Sequence, residues 1–474
     1  MKFPSRRTSA IIAVFAALLV AAYFIINHKK TESDAISIYF TCDTSGRLEP
    51  CGCFTGQHGG LTRLKTWFDA HPPRGDSLKA DVGGALAGGA DYDVIQYRYL
   101  LRAFAAMEYA ALNMGASEAA LPAETLRDLA KHSPVPMISA SLVDAASRKA
   151  VLPPTRIVTI AGKRIGILGI AAPESIKEVG RGLSVLTTDE AVSRHLPELE
   201  RTTDFIILLA FAKEDELRRL ARTFYEIDVI LGGDVAGPAQ EIIRENESII
   251  LYTTNEARTV GTLSGKFSPG KPTRLVDAAY NIEMLWENIP QADEFRTLVR
   301  AYRDEIRRTP LAIDAAVADD PNAIPGVAPM AMFIGSSSCA SCHQSDHAKW
   351  AASGHAHAFE TLVKKGSDAD PHCIKCHTVG FGEPGGYRRS MGAGKFVDVG
   401  CESCHGPASA HLDKVLHGKP VNFTFRPLGP ADCKSCHYGE FSRPFDWNEF
   451  WPPVAHGKEG AAPRKADRPA QSIR

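Results

Sequence analysis

Four pentapeptides of one form, Cys-x-x-Cys-His, recur in the last third of this 474-residue chain: "CASCH", "CIKCH", "CESCH" and "CKSCH". Two thiols three residues apart, followed at once by an imidazole, are what covalent attachment of a c-type haem requires. The thiols bond to the vinyl groups, and the histidine is held beneath the iron. The attachment pairs are Cys339/Cys342, Cys373/Cys376, Cys401/Cys404 and Cys433/Cys436, with proximal ligands His343, His377, His405 and His437. Two zinc ribbons would also use four such pairs, but a site of four thiolates gives no reason for a histidine after every pair. Disulfides between cysteines this near in sequence close only tiny loops and gain little. The reading is therefore four covalently bound haem c groups.

Irons with two protein ligands need further histidines, and in this last third of the chain seven lie outside the motifs: His347, His355, His357, His372, His411, His417 and His456. His355 and His357 sit in "WAASGHAHAF", a run that can be helical; His411 follows His405 in "CHGPASAH", and His456 stands in "VAHGK" after the last motif. Eight of the 11 cysteines and 11 of the 16 histidines fall between Cys339 and His456. The chain thus has a front part and a chemically different rear part.

The segments "SCASCH…W…SGHAHAF", "CIKCHTVGF", "VGCESCHGPASAH" and "CKSCH" resemble the tetrahaem cytochrome c family typified by the electron acceptor of hydroxylamine oxidoreductase. The resemblance covers residues 335–460. It implies stacked haems, mostly with two histidine ligands, in a mainly α, loop-rich shell, and in some relatives one open coordination position. Carried over by position, His355, His411 and His456 are the distal ligands, with the fourth open between His347 and His372 and with His357 a further candidate. Haem attachment, as the family implies, occurs on the outer side of the cytoplasmic membrane on an unfolded chain.

A second stretch, "TCDTSGRLEPCGC" from Thr41 to Cys53, begins like a metal-binding loop. Around it, from Ala35 to Glu287, β-branched runs alternate with amphipathic ones, which says α/β. Strand candidates are "ISIYFT", "VPMIS", "RIGILGI", "DFIILLA", "DVILGG" and "SIILYT"; helix candidates are "GGLTRLKTWFDAH" and "KEDELRRLARTFYE". The order of elements resembles the 5′-nucleotidase branch of the calcineurin-like metallophosphoesterases, which implies a four-layer αββα sandwich. That family holds two divalent metals on strand-end loops, as its hydrolysis requires.

Motif by motif, this chain departs from the family's ligand set. Asp43 is kept in "DTSG" with Ser45 in place of histidine, and "DVGG" keeps Asp81 but puts Gly84 at the bridging aspartate. "GASE" gives Ala116 and Ser117 for Asn and His, Phe211 stands for a later histidine, and "GGDVA" supplies Asp234 and Ala236. No dinuclear metal centre is expected, and phosphohydrolase activity is the least favoured function. Cys51 and Cys53 in "EPCGCFTGQHGG" resemble a motif of a divergent subset of the family and are the candidate catalytic residues. They could join a disulfide with each other or with Cys42, act as a redox thiol pair, bind a soft metal with His58, or have no special role.

The bulk properties frame these sites. With 54 basic and 55 acidic residues the chain has no polybasic case for nucleic acid. Lys2, Arg6 and Arg7 precede an uncharged apolar run, Ala10 to Ile26, which reads as an uncleaved signal-anchor and transmembrane helix. Positive charge on both flanks does not fix its orientation. The expected organisation is an anchor at 1–30, a degenerate phosphoesterase-like domain at 35–287, a helix and linker at 288–334, the cytochrome domain at 335–460 and a disordered tail at 461–474. The leading function is a single-pass electron carrier with the bulk of its chain periplasmic or extracellular, serving redox partner proteins. The alternatives are a redox enzyme using an open haem or Cys51/Cys53, and a residual 5′-nucleotidase.

Overall fold

The computed structural model describes residues 35–50, 57–73, 75–254, 256–316, 332–419, 428–438 and 444–457. The apolar run Ala10–Ile26, the Cys51/Cys53 pair and the 461–474 tail lie outside them. Among the described residues no helix is long and apolar enough to cross a membrane. The described residues divide into two compact units, one holding those of 58–299 and those before 51, the other those from Arg300 onward together with Gln57.

The front unit is built on fourteen strands: β1 (Ala35–Thr41), β2 (Asp76–Asp81), β3 (Ala111–Asn113), β4 (Met137–Ile138), β5 (Leu142–Asp144), β6 (Thr155–Ile160), β7 (Lys163–Ala171), β8 (Leu183–Val185), β9 (Phe205–Phe211), β10 (Val229–Gly233), β11 (Ile243–Glu245), β12 (Ser248–Tyr252), β13 (Thr259–Phe267) and β14 (Leu275–Met284). One six-stranded sheet runs β14-β13-β1-β2-β3-β4 and a second β11-β12-β10-β9-β7-β6, with β5 and β8 as a separate pair. The centres of both sheets are parallel, β1 to β4 in the first and β7, β9, β10 and β12 in the second; antiparallel strands close both edges of the second sheet and the β14 edge of the first.

Side-chain alternation explains the layering. In β9, Phe205, Ile207, Leu209 and Phe211 enter a core shared with Ile36, Ile38 and Phe40 of β1, so the two sheets pack face to face. The intervening Ile206, Leu208 and Ala210 pack beneath Val192, Leu196 and Leu199 of helix Thr188–Thr202 and Leu217 and Leu220 of helix Glu214–Thr223. On the other side, Tyr39 of β1 meets Trp67 and Phe68 of helix Leu61–Ala70 edge-on. Helices outside two facing sheets make the four layers that the phosphoesterase resemblance implies.

The rear unit has short helices joined by turns, and its described apolar core is small: Phe333, Phe359, Leu362, Ile374, Val379, Tyr387 and Phe396. The boundary between units falls inside helix Asp293–Arg308 rather than after it. In its second half Tyr302 donates to the Asp370 carboxylate (3.0 Å), and Arg307 bonds Asp368 (2.6 Å). Arg389 donates to the Ile306 and Thr309 carbonyls and to Asp314. Residues 300–316 are therefore structural members of the rear unit.

Candidate functional site

Each Cys-x-x-Cys-His motif in the rear unit folds as a single helical turn. His343 N donates to the Cys339 carbonyl (2.9 Å) and His437 N to that of Cys433 (2.8 Å), while the second and third motifs lie in helices Pro371–His377 and Cys401–His405. Residues spaced three and four apart share one face of a helix, so two thiols and an imidazole point to the same side. Pro371 at the first helical position and the Asp370 carboxylate, which accepts from His372 N (3.0 Å), start the second of these helices.

The eight motif thiols, alike in the sequence, differ in how far the polypeptide covers them. Cys339, Cys373, Cys376, Cys401, Cys433 and Cys436 are half-buried, whereas Cys342 and Cys404 are exposed. The Cys342 Sγ lies 3.7 Å from the hydroxyl of its own neighbour, Ser341. Cys342 N reaches back to the Cys339 carbonyl (3.3 Å), as Cys436 N does to that of Cys433 (3.2 Å). A thiol bonded to a macrocycle is shielded by that macrocycle, so the attachment role asks for reach along the helical face rather than for burial by side chains.

The motif histidines meet histidines from elsewhere in the unit. Ring centroids stand 6.3 Å apart for His343 and His411, 6.1 Å for His355 and His437, and 5.8 Å for His405 and His456. A metal held by two imidazole nitrogens at about 2 Å each separates the ring centroids by about 6 Å. The three spacings fit an iron between each pair. His377 differs: its Nδ1 is bonded to the Ala358 carbonyl (2.7 Å), and among the described residues no imidazole faces it at such a spacing. Neither His347 nor His372 stands opposite it; His347 packs against Trp350 (5.1 Å), and His357 ends the short turn that begins at Gly354. His417 is exposed and paired with Asp413 (3.0 Å).

Burial pushes the His355, His377 and His405 imidazoles below their ordinary pKa, favouring the neutral form that can ligate a metal. The motifs also neighbour one another in a definite order. Cys339 and Cys401 are near enough to perturb one another's thiols, Cys404 is influenced by Cys433 and Cys436, and Cys376 and Cys436 are likewise neighbours. That order is first, third, fourth, second. Little apolar side chain fills the space between: helices Gln344–Ala351 and Ser409–Leu416 bury no residue at all. Four flat, apolar macrocycles would supply the missing buried mass.

In the front unit the five degenerate motifs converge at the carboxyl ends of the central strands. Asp43 N donates to the Gly83 carbonyl and Ser45 N to that of Gly84, both at 2.9 Å. Asp43, Ser45 and Asp234 all have left-handed backbone, with φ of 49°, 45° and 58°, a conformation rare outside glycine. The Asp43 carboxylate accepts from Thr254 Oγ1 (2.8 Å), and burial raises its pKa from 3.8 to about 6. Asp81 accepts from Thr41 Oγ1 (2.7 Å) and Gly83 N (3.0 Å). Glu118 accepts from the backbone of Gly84 (3.2 Å), Leu86 (2.8 Å) and Gly115 (2.9 Å).

These carboxylates hold loops. A side chain on Gly84 would place its Cβ 2.5 Å from Asp43 Oδ1 and 3.3 Å from the Phe211 ring. The loop has closed over the position where the bridging aspartate stands in the phosphoesterase pattern. Among the described residues no group of three or more His, Cys, Asp or Glu is placed to hold a metal ion. Cys42 is a buried thiol that donates to the Gly83 carbonyl (3.3 Å) and forms no disulfide with another described cysteine. Of the group proposed around Cys51 and Cys53, only His58 is described; it lies edge-on to Trp286 at 4.8 Å.

The family described as cytochrome c554 and c-prime matches residues 338–406. The rear segment is similar to cytochrome c554. It is 37% identical over 92 residues to cytochrome c-554 of Nitrosomonas europaea, a match covering 16% of this chain and 39% of that protein. The chain thus spans well under half of that relative's length. The resemblance implies covalently bound haem c in the rear unit. The front unit resembles a 5′-nucleotidase precursor from Thermus thermophilus, with TM-score 0.49 and 20% identity over 60% of this chain and 66% of that one. It also resembles the calcineurin-like phosphoesterase YfkN from Bacillus subtilis, with TM-score 0.47 and 16% identity over 57% of this chain and 97% of that one.

Sequence reasoning did not single out Glu402, Asp370 or Tyr302. Glu402 occupies a variable position inside its motif, and the other two act through contacts between distant segments.

Proposed function

We propose that this protein is a membrane-anchored c-type cytochrome that carries four haems outside the cytoplasmic membrane and exchanges electrons with redox partner proteins. The observation that carries the reading is the spacing of three imidazole pairs at 5.8–6.3 Å. When bound, haem c supplies one-electron exchange at iron, at a potential set by its ligands and surroundings. The eight motif cysteines hold the four groups. His343, His377, His405 and His437 are the proximal ligands, and His411, His355 and His456 are distal ligands to the first, fourth and third sites. Histidine on both sides excludes exogenous ligands and keeps water from the metal, which suits transfer rather than catalysis. The front unit serves as a docking or positioning body, since its strand-end loops carry Gly84, Ala116, Ser117 and Phe211 where a hydrolase needs ligands. The run Ala10–Ile26 is the anchor.

His377 has no imidazole ring contact among the described residues, although its charge reaches His355, and this favours a second reading in which its site takes a small exogenous ligand. One experiment addresses both. Intact mass gives the haem count, and the dithionite-reduced visible spectrum is recorded before and after carbon monoxide. The expected result is four haem masses, with about a quarter of the Soret intensity shifting. No shift would leave a pure carrier. A shift of most of the band would mean that the imidazole pairs do not hold iron, and the proposal fails.

A further inference from the structure

We propose that Glu402 is a positioning residue that sets His343 and His411 opposite one another. The inference rests on the haem reading above, because those two imidazoles are taken as ligands of one iron. Glu402 lies between the cysteines of the third motif, yet its contacts serve the first. Its side chain is only 3% exposed. Oε1 accepts from Ile334 N (3.0 Å) and Ala408 N (2.9 Å), and Oε2 from Ile334 N (3.0 Å) and Gly335 N (2.7 Å).

Those donors belong to two segments. Residues 334 and 335 enter the turn that leads to Cys339 and His343, and residue 408 precedes helix Ser409–Leu416, which carries His411. A single carboxylate thus fixes the start of both arms that end in the facing imidazoles. Neighbouring contacts share the seam: Ser336 Oγ accepts from Cys401 N (3.1 Å), and Ser409 Oγ accepts from Met332 N (2.6 Å). The backbones come so close that a Cβ on Gly400 would fall 2.6 Å from Ser336 Oγ. Bonds from an ionised acceptor to backbone N–H groups are stronger and shorter than neutral ones, and no neutral residue of this size offers four acceptor positions. An aliphatic residue at 402 would leave three buried N–H groups to find other partners, and the arms would separate first where they are least covered.

The test uses the full-length haem-loaded protein with variants E402A, E402Q and S403A, the last at an exposed neighbour in the same motif. Haem count by mass, the electron paramagnetic resonance spectrum of the oxidised protein and the carbon monoxide response of the reduced protein are compared. E402A should keep four haems while the high-spin, carbon-monoxide-responsive fraction rises by about one haem in four. E402Q should show a smaller rise, because one amide oxygen replaces two carboxylate oxygens, and S403A should match wild type. E402A with four haems and wild-type spectra overturns the positioning role. If E402A fails to load its haems, E402Q is read instead, and wild-type behaviour there overturns it equally. Absence of haem from the wild-type protein would overturn the functional reading itself, a result distinct from a silent variant.

Discussion

The two units solve the problem of a stable interior in opposite ways. Every residue of β9 is buried, and both faces of the second sheet are covered by side chains of the same unit. In the rear unit two whole helices bury nothing, and Leu416 on one of them is 71% exposed. The front unit has a full core and lacks the ligands that the phosphoesterase pattern carries. The rear unit has residues for chemistry in three facing pairs and lacks an apolar core of ordinary size. A protein core can be made of side chains or of bound cofactor, and only the second kind makes folding depend on chemistry.

The strongest way to break that contrast is to remove an attachment site. The double substitution of Cys401→Ala and Cys404→Ala should abolish protection of the rear unit, with cleavage inside residues 332–457 accelerated by on the order of tenfold or more. Fragments from the front unit should persist unchanged. Limited proteolysis with mass-spectrometric mapping reads both. Equal resistance in the variant would mean that the rear unit has a core of its own.

A cavity should discriminate in the other direction. Leu209 is fully buried between the sheets. Leu209→Ala should cost about 2–5 kcal/mol, the range for deleting a buried leucine side chain. Urea unfolding followed by far-ultraviolet circular dichroism gives the cost, and the Soret band should stay as in wild type. A loss of haem absorbance at low urea would show that the units do not stabilise themselves separately.

The same contrast governs what could be read from the residues alone. "FIILLAF" and "RIGILGI" announce themselves because both faces of these parallel strands are buried, leaving continuous apolar runs. The long pair β13 and β14 was not singled out, since "TVGTLSGKF" mixes Thr, Gly, Ser and Lys into a mostly buried strand and "LVDAAYNIEM" forms a half-exposed edge. Helix Asp91–Ala106 buries tyrosines at 97 and 99 that read as ambiguous, and helix Thr188–Thr202 carries an internal Pro197. The haem attachment chemistry is local and so legible. Which imidazole faces which is not, because His355 and His437 are brought together only by the fold. Nor does spacing reveal that Cys342 is exposed while Cys339 is half-buried, since cover depends on which segments pack over the turn. The boundary inside helix Asp293–Arg308 is hidden for a similar reason: one amphipathic period continues through two units.

A smaller effect concerns the strand-end site of the front unit, where burial raises the Asp43 pKa from 3.8 to about 6. Between about pH 4 and 6 the folded state holds a proton that the unfolded chain has released, so stability falls as pH rises through that window. Below about pH 4 both states are protonated and the penalty vanishes. Asp43→Asn should therefore gain about 1–2 kcal/mol near neutral pH, discounted for partial exposure, and nothing in acid. Asp81, Glu118 and Asp228 are raised as well, so the difference between wild type and variant isolates Asp43. A gain that does not vary with pH would mean that packing rather than charge is responsible.

The smallest effect expected is from restoring one ligand of the phosphoesterase pattern. Phe211 stands at the end of β9, 4% exposed, where that pattern carries a histidine. Phe211→His would put an imidazole near Asp43, giving two donors where a bridged pair of divalent ions needs several more. The next donor would have to come from position 84. There a Cβ would meet Asp43 Oδ1 at 2.5 Å, the backbone has φ of +76°, and the amide is already bound to Glu118. Two ligands do not displace enough water from a hard divalent ion to hold it. The expected outcome of equilibrium dialysis against Mn²⁺ is no stoichiometric uptake by the variant, and no shift of its unfolding midpoint on adding the ion. Uptake of one ion per chain would show that the strand-end loops remain a metal site awaiting a single residue, and the contrast between a front unit that has closed its chemistry and a rear unit built around it would no longer hold.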